Sequence, residues 1–214
     1  MDYLSVPFDE NNIAKDLGAK FNWDKKLWYI PSNISEKNKE ILLKKWPYKV
    51  ITNLFGEDRT YMGNELFVDL IPKSCWFTNV RSNIHKSDWD TIRKYIYSRT
   101  NYICECCGID TKKQNKQLEA HERWRYDNKN KIQKLVRLVA LCSDCHLVTH
   151  IGYASVSGKY EKAYSHLKKV RDFDNQDCDD HIERAFKLWD KRNEYKWELD
   201  ISLITDNGIK LKKN

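Results

Sequence analysis

Leu138-Val-Ala-Leu-Cys-Ser-Asp-Cys-His-Leu-Val-Thr-His150 decides how this chain is read. It contains a Cys-x-x-Cys pair, Cys142 and Cys145, that runs directly into His146 and His150. A first pair, Cys104 and Cys107, stands in Cys104-Glu-Cys-Cys-Gly108, and the two pairs bracket Leu118-Glu-Ala-His-Glu122. Two thiolates at this spacing hold one edge of a tetrahedral Zn²⁺, and two such pairs close a four-cysteine structural site with no open position. Chemistry would then have to come from the imidazoles nearby. If Cys145 opens a helix, His146 and His150 lie one turn apart on one face, the spacing at which two histidines share a cation. The expectation is one zinc-stapled module, core 104 to 150, carrying a second, catalytic metal site.

Bland readings compete with this one. A cytosolic Cys-x-x-Cys can be a redox pair, but that use wants a βαβ context and leaves the second pair unexplained. Cys75, Cys106 and Cys178 lack paired spacing and read as ordinary half-buried thiols, although Cys106, inside the first knuckle, could substitute for a neighbouring ligand. His85, His166 and His181 have no partner motif, so surface or satisfied core positions are the default for them.

A chain of 214 residues can hold one medium and one small domain. No apolar stretch approaches the roughly 20 residues needed to cross a bilayer, and Met1-Asp-Tyr-Leu4 lacks a basic segment followed by an apolar run. An odd cysteine count without a leader fits a reducing compartment. The expected setting is cytoplasmic, in a bacterium or in the host cell of a phage or virus, with no membrane partner. The net charge of +7 identifies no partner by itself. Its placement says more, since Lys112, Lys113, Lys116, Arg123, Arg125, Lys129, Lys131, Lys134 and Arg137 all fall between the cysteine pairs. A phosphate backbone is the natural partner of such a patch, and a solvated lysine-rich loop is the alternative.

Residues 1 to 47 read as a small α/β module. Asp9 or Asn11 caps a helix through Leu17 that Gly18 stops. Lys20-Phe-Asn-Trp23 and Leu27-Trp-Tyr-Ile30 form a hairpin around Asp24-Lys25-Lys26, and a last helix carries Ile34, Ile41, Leu42 and Trp46 after Ser32 or Ser35. Trp23, Trp28 and Tyr29 serve as core or as a base-stacking platform, with core favoured. Through Tyr3-Leu-Ser-Val-Pro-Phe8, Ala14-Lys-Asp-Leu-Gly-Ala-Lys-Phe21, Trp23-Asp24 and Lys26-Leu-Trp-Tyr-Ile-Pro31, the segment resembles a small family of unknown function found beside DNA-processing domains. Residues 48 to 64 read as a linker. Leu66-Phe-Val-Asp-Leu-Ile-Pro72 and Cys75-Trp-Phe-Thr-Asn-Val-Arg81 read as strand or ordered loop. Ser87, with Asp90 completing a capping box, opens a helix with Trp89, Ile92, Tyr95 and Ile96 on its apolar face. Two amphipathic helices follow Gly158, one through Tyr160, Ala163, Tyr164, Leu167 and Val170, the next through Ile182, Ala185, Phe186 and Trp189. Trp197, Leu199, Ile201 and Leu203 alternate as a closing strand or extended tail would, residues 206 to 214 are a tail, and its Lys210-Leu-Lys-Lys-Asn214 end reads as frayed.

The run from Cys104 to His150 resembles the HNH endonucleases, in the branch whose ββα-metal (His-Me finger) fold is pinned by a four-cysteine zinc. The likeness extends to Val68-Asp-Leu-Ile-Pro72, Trp76-Phe-Thr-Asn-Val-Arg81, Trp124, Tyr126-Asp127 and His150-Ile-Gly152, so it spans most of residues 65 to 205. It implies an α+β chain: the small module, then an HNH domain with structural Zn²⁺ and flanking helices. It also implies one divalent cation, Mg²⁺ or Mn²⁺, on the scissile phosphate while a base activates water, with double-stranded DNA as the partner. Carried over, His121 is the general base, His146 the first ligand, and His150 a second ligand or a phosphate donor. Glu122 orients His121 or binds the metal. Arg123, Arg125, Lys131 and Lys134 contact nucleic acid. Many members carry His-His or Asp-His where this chain has His121-Glu122; the other register makes His121 a ligand and puts Glu122 in the base position. The family's middle Asn is replaced, Arg137 or its neighbours occupying that stretch, with Asn128 and Asn130 as alternatives in the loop.

Two further classes stand beside the metal-dependent endonuclease. One is a non-catalytic, zinc-stabilised DNA- or RNA-binding protein derived from an HNH nuclease. The other is a structural adaptor, for which three motif histidines have no obvious work.

Overall fold

A computed structural model describes residues 2–23, 27–47 and 53–212; the expected Asp24-Lys25-Lys26 turn, the Tyr48-Lys49 start of the linker and the last two residues lie outside them. Among the described residues the fold is mixed α+β, with two three-stranded sheets and nine α-helices.

The first unit runs β1 Asp2–Leu4, α1 Asn11–Asp16, β2 Lys20–Asn22, β3 Leu27–Ile30 and α2 Glu36–Lys45. β3, rich in aromatic and β-branched residues, takes the middle of an antiparallel sheet in the order β1-β3-β2. Gly18 at φ +92° ends α1, where a side chain would be strained. Neither Asp9 nor Asn11 caps this helix: a 3-10 turn, Phe8–Glu10, leads into it. The Glu10 carboxylate instead accepts from the Trp46 indole and pairs with Lys45, tying α1 to α2. Ser35 caps α2, its hydroxyl accepting from Asn38 N–H at 3.3 Å. Leu4, Ala14, Ala19, Ile30, Leu42 and Trp46 form the core, with Trp28 packed against it, while Trp23 is 80 % exposed.

The second unit is built on a long hairpin, β4 Leu118–Asp127 and β5 Ile132–Cys142. Before it come α3 Val80–Asn83 and α4 Lys86–Arg99; after it come α5 Ser143–Thr149, α6 Ile151–Val156, α7 Tyr160–Arg171, α8 Asn175–Asn193, β6 Glu198–Asp200 and α9 Ser202–Thr205. β5 is buried along most of its length because helices or loops cover both faces, and β6 joins it in parallel. The pairing is antiparallel from Leu118↔Cys142 to Asp127↔Ile132, with a register shift at Arg123/Trp124 that leaves Val136 opposite no residue of β4. α4, α7 and α8 bury the expected apolar faces, with Ile92, Ile96, Ala163, Leu167 and Ile182 innermost.

Several expectations need correction. Of the two readings of residues 66–81, strand fails and ordered loop holds: 66–79 are loop with one 3-10 turn, Lys73–Cys75, and Val80 and Arg81 open α3. The capping box before α4 is absent: the helix starts after His85, and Asp90 bonds Arg93 at 2.7 Å instead. The described end of the chain is docked, not frayed, for Ile209 is buried, Leu211 bridges Ile84, and Lys212 N–H donates to Asn83 O at 2.8 Å. The linker, where described, is part of this unit. Leu54 lies in the core, Phe55 and Asn207 exchange two hydrogen bonds of 3.0 Å, and Asp58 N–H donates to Val136 O at 3.0 Å.

The largest correction concerns charge. Arg123, expected to reach a phosphate, is 1 % exposed, as is Arg137 beside it on β5. Arg123 Nη1 donates to the carbonyls of Tyr61, Met62 and Gly63, the last at 2.6 Å, and Nη2 to Glu65 O at 3.2 Å. Arg137 reaches Gly63 O at 2.6 Å, Asn64 Oδ1 at 2.7 Å and the Glu105 carboxylate at 3.0 Å. Both forks are spent on the loop that crosses the hairpin, so neither is available to a ligand. No helix among the described residues is long and apolar enough to cross a membrane.

Arg99 and Glu57 form a second buried pair, 6 % and 3 % exposed, and Glu57 also accepts from Leu138 N–H at 2.9 Å. Glu57→Ala leaves a buried cation and a buried amide unpaired, and we expect it to cost about 3–5 kcal/mol of unfolding free energy. Urea denaturation would read this as a lower midpoint at unchanged slope; a loss below about 1 kcal/mol would mean that the pair is solvated.

Candidate metal centres

Cys104 and Cys107 come from the loop after α4, and Cys142 and Cys145 from the junction of β5 and α5. The Cys142 sulfur caps α5, accepting from Cys145 N–H at 3.5 Å, so the pair's spacing is fixed by the first helical turn. Ligand atoms of all four lie within 4.8 Å of one another. The Cys107 and Cys142 sulfurs are 3.7 Å apart. A tetrahedron of Zn–S bonds about 2.3 Å long has edges of about 3.8 Å, so this donor set fits a structural zinc. Hydrogen bonding within the cluster, first from the Cys107 thiol, pulls Cys104 below the ordinary thiol range and raises Cys107 and Cys145, so the four sulfurs share their protons. Cys106 does not join them. Its thiol donates to Glu65 O and accepts from Arg123, and burial raises it to about 12.

His146 and His150 project from α5 and its C-cap toward β4, where His121 meets them. Ring centroids are separated by 5.4 Å for His121 and His146, 5.1 Å for His121 and His150, and 4.6 Å for the helical pair, and one nitrogen of each ring lies within 4.8 Å of the others. Burial, then the neighbouring histidines, pulls His121 well below its ordinary range, and burial lowers His150 to about 4. The two rings are therefore neutral near pH 7, with lone pairs free to bind a cation. His121 Nε2 is buried without a hydrogen-bond partner among the described residues, a costly arrangement that a cation would relieve. Imidazole donors suit a transition cation better than Mg²⁺, whose preference is for oxygen.

Two carboxylates attend the cluster. Glu119, two residues before His121 on β4, accepts from His146 Nδ1 at 3.1 Å, which leaves Nε2 of that ring as the ligand atom. That hydrogen bond lowers the Glu119 carboxyl. Burial raises the half-buried Glu122 carboxyl to about 7, and it accepts from Val80 N–H at 2.8 Å. Both carboxylates and all three histidines line one cleft of about 1020 Å³.

Arg125, Lys131 and Lys134 are absent from that lining and sit toward the hairpin tip. Arg125 pairs with Asp58, Lys134 with Asp200, and Lys131 lies over the Tyr195 ring. Asn128 and Asn130 occupy the turn beyond β4, where Asn130 bonds Asp127 at 2.7 Å. The cations lining the cleft, among the described residues, are Arg81, Lys86 and Arg93, which the sequence reading passed over. It missed Glu119 as well, although residues two apart on a strand share a face. His166, assigned no partner, has Nε2 3.2 Å from Cys145 Sγ. His181 is satisfied, its Nε2 accepting from Val68 N–H.

Residues 1–46 match a family described as a domain of unknown function (DUF5710), which agrees with the N-terminal resemblance. No curated protein and no solved structure matches the chain.

The protein should carry one tightly held zinc through these sulfurs. Elemental analysis of Cys145→Ala is expected to find that zinc gone and circular dichroism to find the second unit unfolded, whereas Cys106→Ser should keep both metal and fold.

Proposed function

We propose that the chain is a divalent-cation-dependent, HNH-type endonuclease that hydrolyses DNA phosphodiester bonds in the cleft lined by His121, His146 and His150. The observation that carries this reading is the convergence of the three imidazoles, with His121 Nε2 buried and unpaired, at a cleft that Arg81, Lys86 and Arg93 also line. The element order supports it too, since an antiparallel hairpin runs directly into the helix bearing two of the histidines, as a ββα-metal fold requires.

A cation bound by the imidazoles would neutralise charge developing on the non-bridging and leaving oxygens of the phosphate. In this arrangement His121 is a ligand, which is the second of the two registers left open by His121-Glu122. Glu122 then stands at the cleft to take the proton from water, held by its bond to Val80 N–H. Glu119 orients His146. Arg81 and Lys86 hold the flanking phosphates, Arg81 offering a bidentate fork, while Arg93 beside them is paired with Asp90. The donor set favours Mn²⁺ or a similar cation over Mg²⁺.

A second reading, a zinc-stabilised nucleic-acid-binding protein without catalysis, is favoured by the same cleft-lining cations, which serve binding alone equally well.

Incubation with supercoiled plasmid is expected to yield nicked and linear DNA faster with Mn²⁺ than with Mg²⁺. His146→Ala or His121→Ala should lower the rate by about 10²-fold or more while zinc content is retained. Glu119→Gln should weaken the activating cation by about 10–100-fold. Intact plasmid under every cation, with salt-sensitive binding that survives His121→Ala, would decide for the binding protein.

A further inference from the structure

The cleft has a second end that the histidines do not use. Gln133 lines it from β5, 1 % exposed. Its Nε2 donates to the Tyr126 hydroxyl at 3.3 Å, while its Oε1 is buried with no partner among the described residues. Asp69 lines the same cleft, buried, with its backbone N–H bonded to Thr149 O at 3.0 Å and its carboxylate 3.9 Å from Arg192. That guanidinium lies over the Tyr126 ring, its Cζ 3.8 Å from the centroid. Burial lifts the Asp69 carboxyl only to about 6, so it is largely ionised at pH 7.5. Trp124, Phe186 and Trp189 complete the lining; Trp189 is fixed by its indole bond to Ile71 O at 2.9 Å and meets Phe186 edge-on.

This recess has the chemistry of a flat, N–H-bearing ring. Aromatic walls favour a π-system. Two acceptor oxygens, one wholly unsatisfied, repel a phosphate and call for donors. The cations Arg81 and Lys86 line the same cleft, so a ring attached to a sugar-phosphate strand meets acceptors and aromatic walls in the recess and positive charge outside it. Of the four DNA bases, guanine presents adjacent N1–H and N2–H donors, whereas thymine presents one donor between two carbonyls. Gln133 pairs with Tyr126, five residues along β4 from His121, about 17 Å at ~3.3 Å per residue. A base seated there lies a few nucleotides from the phosphate at the histidines.

We propose that the recess formed by Asp69, Gln133, Trp124, Phe186 and Trp189 accepts one unstacked base of the bound strand, with guanine preferred, and thereby sets the position at which the strand is engaged. The proposal rests on the reading of the cleft as a nucleic-acid site and goes beyond it in naming a base-reading pocket. Removing a base from its stack costs less in single-stranded or locally opened DNA, so such strands should bind better than intact duplex.

The test is fluorescence anisotropy with the full, zinc-loaded chain and no added divalent cation, using a short labelled oligothymidine whose central residue is guanine, hypoxanthine, thymine or abasic. The guanine strand is expected to bind about tenfold tighter than the thymine and abasic strands, with hypoxanthine, which lacks the N2 amine, in between. Gln133→Leu should abolish the guanine preference and leave abasic binding within about twofold, which also checks its folding. Equal affinity for guanine, thymine and abasic strands overturns the proposal, and that comparison needs no variant. Guanosine monophosphate binding as tightly as the guanine strand would overturn the assignment to a strand. The readout is independent of cutting: a guanine preference without plasmid cleavage removes only the nuclease reading, and cleavage without base preference removes only the recess.

Discussion

The four-sulfur cluster is the constraint on which the second unit depends. α5 has seven residues, well short of the length at which a helix persists by itself in water. It is nevertheless the element that must hold two imidazoles against β4. A metal held by Cys104, Cys107, Cys142 and Cys145 would weld its first turn to the end of β5 and to the loop after α4. α7 packs along α5 and brings His166 against the Cys145 sulfur, so the weld is braced from outside as well. Structural and candidate catalytic sites thus share one short helix, and the second inherits its geometry from the first.

The buried arginines work on the other side of the hairpin. A loop crossing a sheet presents carbonyls that no strand partner can satisfy, and burying them bare would be costly. Arg123 and Arg137 meet them with planar multi-donor forks, a task that a lysine's single ammonium performs poorly. Glu105 supplies a counter-charge to Arg137, and the same carboxylate accepts from Ala140 N–H, so the loop, the zinc knuckle and β5 are joined in one polar network. Such a network is sensitive to losing any one member, because what remains is a buried charge.

Local chemistry was legible in the sequence wherever spacing alone determines geometry. The Cys-x-x-Cys pairs, the i, i+4 histidines and the apolar faces of α4, α7 and α8 are of this type, and the structure places them as expected. Charge was not legible. Arg123 and Arg125 are two residues apart on one strand face in an exposed-looking basic run, yet the first is buried under the Tyr61–Glu65 carbonyls and the second stays at the surface. Nothing local encodes that difference, since it depends on a loop some sixty residues upstream folding over the hairpin. Asp69 offered a usable hint, being a lone carboxylate inside Leu66-Phe-Val-Asp-Leu-Ile-Pro72, where burial of the run had to take the acid with it. The cleft's cations come from Arg81 to Arg93, outside the cysteine-bounded core, because tertiary packing and not chain proximity delivers α3 and α4 to the histidines.

The unmatched residue Val136 puts a different kind of demand on the hairpin. Its carbonyl receives Asp58 N–H, so the irregularity is also an anchor. On one side of it β5 faces the histidine half of β4; on the other it presents Gln133 and Leu135. Strand faces alternate with every residue, so deleting Val136 would restore a regular ladder with the pairings on either side kept, whereas a deletion elsewhere in either strand would turn one half of the hairpin inside out. The irregularity therefore serves the loop and not the ladder: the extra residue leaves a carbonyl that regular pairing would have used, and there the segment through Asp58 is moored.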